Sequence, residues 1–209
     1  MASTTAPAVA TQAGTISPSV ARPIASAARA SRSGIWVGIF AITMSFMAFT
    51  SALIVRQAST DWTHLVLPSI LYANTLALLA SSVTFELSRR HMELVPGGRL
   101  QSEGAGVTWL MATLALGIAF CIGQYIAWQD LREQGIYLAT NPNSSFFYLL
   151  TFLHVLHVTA GIGAFSYLVG RLVLKNGSLR RSFFENTAIY WHFMGVLWVY
   201  LLLLCRTKL

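Results

Sequence analysis

Apolar positions along this chain do not alternate with polar ones; they run together in five long blocks. The blocks cover about residues 34–55, 65–87, 106–128, 146–174 and 183–205. At about 1.5 Å per helical residue, each is long enough to cross a hydrocarbon core of ~30 Å once. Runs of this length predict membrane helices rather than buried strands or soluble core helices. The fourth is long enough to tilt or to project past the bilayer. Polar connections separate the blocks, and Pro96-Gly97-Gly98-Arg99 and Asn141-Pro142 mark turns within them. Residues 1–33 are rich in Ala, Ser and Thr, contain no acid and are expected to form a disordered tail. No apolar core follows a basic start, which argues against a secretory signal, although an organellar transit peptide has a similar composition. The fold class predicted is all-α: a polytopic bundle of five transmembrane helices, one domain over 34–209.

Composition agrees. Of 209 residues, 55% are hydrophobic and 10% are charged, with a mean hydropathy of +0.60. A soluble domain carries about 25% charged residues, so this chain lacks the polar surface to cover a water-facing globule. Its net charge of +7 resembles a nucleic-acid footprint, but its distribution argues against one. Arg22, Arg29, Arg32, Arg89, Arg90, Arg99, Arg171, Lys175, Arg180 and Arg181 fall on one side of the predicted topology. Only Arg56, Arg132, Arg206 and Lys208 fall on the other. The positive-inside rule then puts the N-terminus in the cytoplasm and the C-terminus outside. Trp62, Trp109 and Trp128 lie near span ends, as an interfacial aromatic belt requires. Cys121 and Cys205 sit in or at the end of apolar blocks, which suits packing better than a disulfide framework or a zinc site.

Ionisable groups inside spans are where function is to be sought, because burying them without partners is costly. His154 and His157 share one helix face, which Gly161 and Ala164 continue. Glu185, His192, Gly195 and Val199 form a similar stripe on the last span. Counting along antiparallel helices puts His157 and His192 each about 16 Å from the outer surface, where they are expected to face each other. Three readings fit the residues: axial haem or metal ligation, a proton relay, and neutral imidazoles hydrogen-bonding to Glu185, Asn74, Ser81 or Ser82. Asn74, Ser81, Ser82 and Glu86 in the second span and Gln124 in the third are hydrogen-bonding groups suited to helix contacts. There is no glycine-rich phosphate loop, no HExxH, no CxxCH and no nucleophile with a positioned base. A stand-alone haem-binding membrane protein and a small transporter with a midplane site are the alternatives of another class.

Three runs are similar to one family. NTLALLASSVTFELSRR (74–90), HVLHVTAG (154–161) and YWHFMGVLWVYLLLL (190–204) occur in order, with FCIGQ before a Trp in the third span. Together they resemble subunit III of the haem–copper oxidases, in the five-span bacterial form, over about 34–205. The resemblance implies an accessory subunit of an aerobic terminal oxidase with no redox centre, catalytic residue or metal of its own. Haem and copper would belong to partner subunits I and II. It implies bound phospholipid in a cleft, support of proton uptake, stabilisation of the catalytic subunit, and a bacterial inner membrane or, alternatively, a mitochondrial one. The polar set Asn74, Ser81, Ser82, Glu86, Gln124, His154, His157, Glu185 and His192 becomes interhelical contacts and cleft lining. A quinol oxidase or nitric oxide reductase-type complex is the alternative within the family. Relatives carry acids where this chain has Thr43, Ala127 and Gly195, so any path those acids line in relatives is in question here.

Overall fold

The computed structural model describes residues 18–58, 67–95, 99–102, 104–174 and 178–208. Helices α1 (Pro18–Gln57), α2 (Ile70–Arg90), α3 (Ala105–Glu133), α4 (Pro142–Leu174) and α5 (Arg181–Lys208) form the bundle. All five contain stretches long and apolar enough to cross a membrane. Two boundaries differ from the expected ones for clear reasons. α1 begins at Pro18, inside the segment expected to be a disordered tail; the Ala-rich run 24–30 continues a helix already nucleated by the apolar block. Residues 1–17 of that tail lie outside the described residues. α2 begins at Ile70 rather than 65, because Pro68 disfavours helical geometry in the residue before it.

A small antiparallel sheet was not foreseen in an all-α reading. Strands β1 (Met92–Val95), β2 (Arg99–Ser102) and β3 (Ser178–Arg180) pair in that order. Leu94 lies opposite Leu100, and Leu100 opposite Leu179. β1 and β2 come from the α2–α3 connection and β3 from the α4–α5 connection, so the sheet ties two basic connections together at one end of the bundle. Pro96-Gly97-Gly98 and Trp62 lie outside the described residues.

α2 and α3 form the tightest pair, and their buried positions explain why. In α2 these are Leu71, Asn74, Leu78, Ser81, Phe85 and Ser88. In α3 they include Gly106, Leu110, Thr113, Gly117, Phe120, Gln124, Ala127 and Leu131. Both sets step by three and four, a seven-residue repeat that keeps one seam facing the partner at a shallow crossing. Half of the seam is small or polar, which lets backbones approach closely without a hydrophobic drive between helices in lipid. Ser88 Oγ donates to Gly106 O at 2.7 Å, Thr84 and Thr113 hydroxyls meet at 2.8 Å, and Asn74 lies against Gly123.

α5 is the hub. From α5, Trp191 donates to Ser81 Oγ of α2 at 3.0 Å and Trp198 to Thr75 Oγ1 at 3.0 Å. Tyr190 donates to the His157 carbonyl of α4 at 2.8 Å, and the Tyr200 hydroxyl meets Thr50 Oγ1 of α1 at 2.9 Å. Each indole or phenol buries a large apolar body and places its polar tip on another helix. Trp36, Phe40, Leu76, Ile122, Phe152 and Val196 face outward, the apolar exterior expected of a bundle in lipid.

Candidate functional site

The polar residues singled out in the sequence divide into three groups in space. The first is fully internal. His154 is 0% exposed, packed at a 32° tilt against Trp198 with ring centroids 5.1 Å apart and edge-on to Phe120 at 5.7 Å. Gln124 and Asn74 are buried as well. Phe120 lies one turn before Gln124 on α3, and the Trp198 indole is held by Thr75, next to Asn74. Three helices thus bring His154, Gln124 and Asn74 around one aromatic pair. Gly123 makes this closeness feasible, since a β-carbon there would overlap Asn74 Oδ1.

The second group is interhelical structure. Ser81 Oγ accepts from the Trp191 indole and donates to Leu78 O at 2.6 Å. His157 Nδ1–H donates to Leu153 O of its own helix at 2.6 Å, the proton being placed by an acceptor that cannot donate. Its ring lies 5.9 Å from that of Phe46 on α1. His192 instead packs on Phe85 of α2 at 6.1 Å. The face-to-face histidine pair expected from depth is therefore not what forms: the two rings have separate neighbours on different helices. Matched depth leaves rotation about each helix axis undetermined, and rotation decides which ring meets which.

The third group lines an open groove between α2 and α5. Ser82 and His192 are shared by two adjoining hollows of about 480 and 510 Å³. Glu86, Arg90 and Leu87 close one end; Leu79, Gly195, Val196, Val199 and Leu203 line the apolar shaft. From His192 to Leu203 the shaft runs about 16 Å, or half a hydrocarbon core.

Both membrane-end acids pair locally. Glu86 meets Arg89 at 3.2 Å and Glu185 meets Arg181 at 2.6 Å, each on its own helix. Glu185 was expected to reach across helices; its i,i−4 arginine at the start of α5 is simply nearer. Glu185→Gln is expected to change thermal stability by no more than about 0.5 kcal/mol, because the pair is exposed and such pairs contribute little. A shift of several kcal/mol in detergent or nanodisc melts would show an interhelical role instead.

Trp128 also has a role the sequence reading missed. Its indole donates to Thr151 Oγ1 at 3.1 Å, locking α3 to α4. At the three positions where the family resemblance led to the expectation of an acid, Thr43 donates to Ile39 O at 2.8 Å, Ala127 is 0% exposed in the α2–α3 seam, and Gly195 borders the groove with Ser82 Oγ 3.5 Å from a built β-carbon. Of the three, Thr43 is exposed, Ala127 is enclosed, and Gly195, though buried, borders the groove with room for a β-carbon. Both cysteines are free thiols, Cys205 buried and Cys121 partly so. Among the described residues no three His, Cys, Asp or Glu side chains gather as a metal-ligand group.

Comparison with known proteins matches the sequence of this chain to one family. The sequence model for "Cytochrome c oxidase subunit III" matches residues 31–206. The chain is 32% identical over 166 residues to a cytochrome c oxidase subunit 3 of Synechocystis sp., covering 75% of this chain and 66% of that one. It is 30% identical over 130 residues to a probable cytochrome c oxidase subunit 3 of Mycobacterium leprae, covering 60% and 59%. With the sea urchin Paracentrotus lividus protein of the same name it shares 35% over 129 residues, 61% of this chain and 46% of that one. The matches thus span less than two thirds of the relatives' length. A match over nearly the whole membrane bundle, with the NT–SS, H–H–G and YWH runs each at a helix contact, makes this multi-pass membrane protein a member of the cytochrome c oxidase subunit III family.

Proposed function

We propose that the chain is an accessory, non-redox subunit of an aerobic haem–copper terminal oxidase that draws electrons from cytochrome c. Subunits I and II of that complex carry the haem and copper, reduce O₂ and translocate protons. This chain packs against the catalytic subunit, holds phospholipid, supports proton uptake and prolongs the working life of the core. The observation that carries the reading is how its membrane histidines are used. His154 lies between Trp198 and Phe120, His157 on Phe46 and His192 on Phe85, on faces that do not converge as axial ligands converge on a porphyrin. The α2–α5 groove supports the lipid role: its charged end suits a headgroup and its shaft an acyl chain. The basic connections gathered at the sheet end support a cytoplasmic placement of that end in a bacterial inner membrane.

The test is to purify the oxidase with and without this chain. Enzyme lacking it is expected to keep its haem and copper spectra and initial O₂ reduction, but to lose activity within far fewer turnovers. Loss of a Soret band together with the chain, or a haem band in the isolated chain that disappears in His192→Ala, would overturn the reading.

A further inference from the structure

We infer that the membrane interior of this subunit holds a buried water site bounded by Asn74 of α2, Gln124 of α3 and His154 of α4. Asn74 Nδ2, Gln124 Oε1 and Nε2, and both His154 ring nitrogens are enclosed by protein and make no hydrogen bond to another protein group. Other buried side-chain polar atoms among the described residues have protein partners, so the unmet demand is confined to these three side chains. α3 packs on both α2 and α4, and the three side chains are linked by the Phe120–His154–Trp198 ring cluster and by Asn74 packed on Gly123.

The chemistry matches water specifically. A neutral imidazole offers one donor and one acceptor, Gln124 a donor group and an acceptor, and Asn74 a donor. Each water supplies two of each and, when buried, typically makes about three hydrogen bonds to such otherwise unmet groups, so the three donors and two acceptors here call for two waters rather than one. An anion would leave the acceptors unmet, and a metal cation would find no carboxylate or thiolate there. The aromatic walls add no competing donor, since the Trp198 indole N–H is engaged by Thr75 Oγ1. Two such waters, one at each imidazole nitrogen, complete the three side chains as a network; without them five buried atoms of α2, α3 and α4 would stay unsatisfied in a medium with no solvent to relieve them. The inference rests on this geometry alone and stands independently of the functional reading above.

Radiolytic hydroxyl-radical labelling of the full-length chain in lipid nanodiscs tests it, because radicals formed from a bound water oxidise the rings beside it. Trp198 and Phe120 are expected to be modified several-fold faster than Trp191 and Phe165, which are equally buried but sit among groups with all polar demands met. After mixing with ¹⁸O-water, the label at Trp198 and Phe120 should exchange slowly, as trapped water does. In Gln124→Leu/His154→Phe the excess should vanish. Equal rates at the two ring pairs in the unaltered chain would overturn the proposal, pointing to direct contact between the amides and imidazole. Excess labelling that survives the double substitution would overturn it as well. If the double variant does not fold, the comparison within the unaltered chain still decides.

Discussion

Trp191→Ala is expected to cost about 3–5 kcal/mol of stability, the range for removing a large aromatic from a close-packed core. Trp191 is 1% exposed and occupies the centre of the bundle. Its ring edge faces Gly117 of α3 and its other side Gly161 of α4. Phe165 meets it edge-on at 4.6 Å, and its indole N–H reaches Ser81 of α2. One side chain from α5 therefore touches three other helices, and no single neighbour can collapse into the space it leaves. Lipid tails do not enter a closed interior, so the cavity persists and its lining loses dispersion contacts outright. Thermal or SDS-titrated unfolding in nanodiscs reads the loss. Trp191→Phe separates the contributions: it keeps most of the packing and removes the donor to Ser81, so about 1–2 kcal/mol is expected. An alanine variant within about 1 kcal/mol of the parent would show that the bundle repacks around the hole.

Gly117→Ala should destabilise by about 1–3 kcal/mol, the usual cost of overpacking. The sign is not obvious in advance, because alanine in a helix interior is favoured over glycine by up to about 1 kcal/mol. Space decides it. A β-carbon on Gly117 would lie 2.8 Å from Trp191 Cη2 and 3.2 Å from Cζ2, and that ring is held by its indole bond and by Phe165. It cannot swing aside as the tip of a lysine would. Gly163→Ala is the control: nothing lies within 4 Å of its built β-carbon, so propensity alone acts there and stability should rise slightly. The same measurement in a Trp191→Phe background completes the test. A smaller ring leaves room for the methyl, so the Gly117→Ala penalty should shrink, a coupling that independent sites would not show. Equal effects at Gly117 and Gly163 would remove the steric explanation.

Much of this was legible before any coordinates. Block length and the scarcity of charge determined five helices long and apolar enough to cross a membrane, and their order. The NT–SS and H–H–G runs marked where helices meet: Asn74, Ser81 and His154 are buried at such meetings, as is Gln124 of the third span. The seven-residue repeats of α2 and α3 were also written in the sequence. Uniformly apolar surroundings hid them, because in a membrane helix the lipid face is as hydrophobic as the core face and no amphipathic contrast exposes the seam.

What the sequence determined by itself is the set of spans and the inventory of groups that need a partner. Burial in a membrane forces each backbone into its own helix, so local composition is sufficient for that much. Partners were decided only in three dimensions. His157 and His192 have matching depths yet pack on Phe46 and Phe85, because depth is one coordinate of a helix and rotation is another that spacing within one helix cannot supply. The sheet joining two connections exists because separate hairpin and loop segments arrive at one end of the bundle together. Trp191 becomes the centre of the protein because Gly117 and Gly161, 44 positions apart in the chain, are brought to either side of its ring.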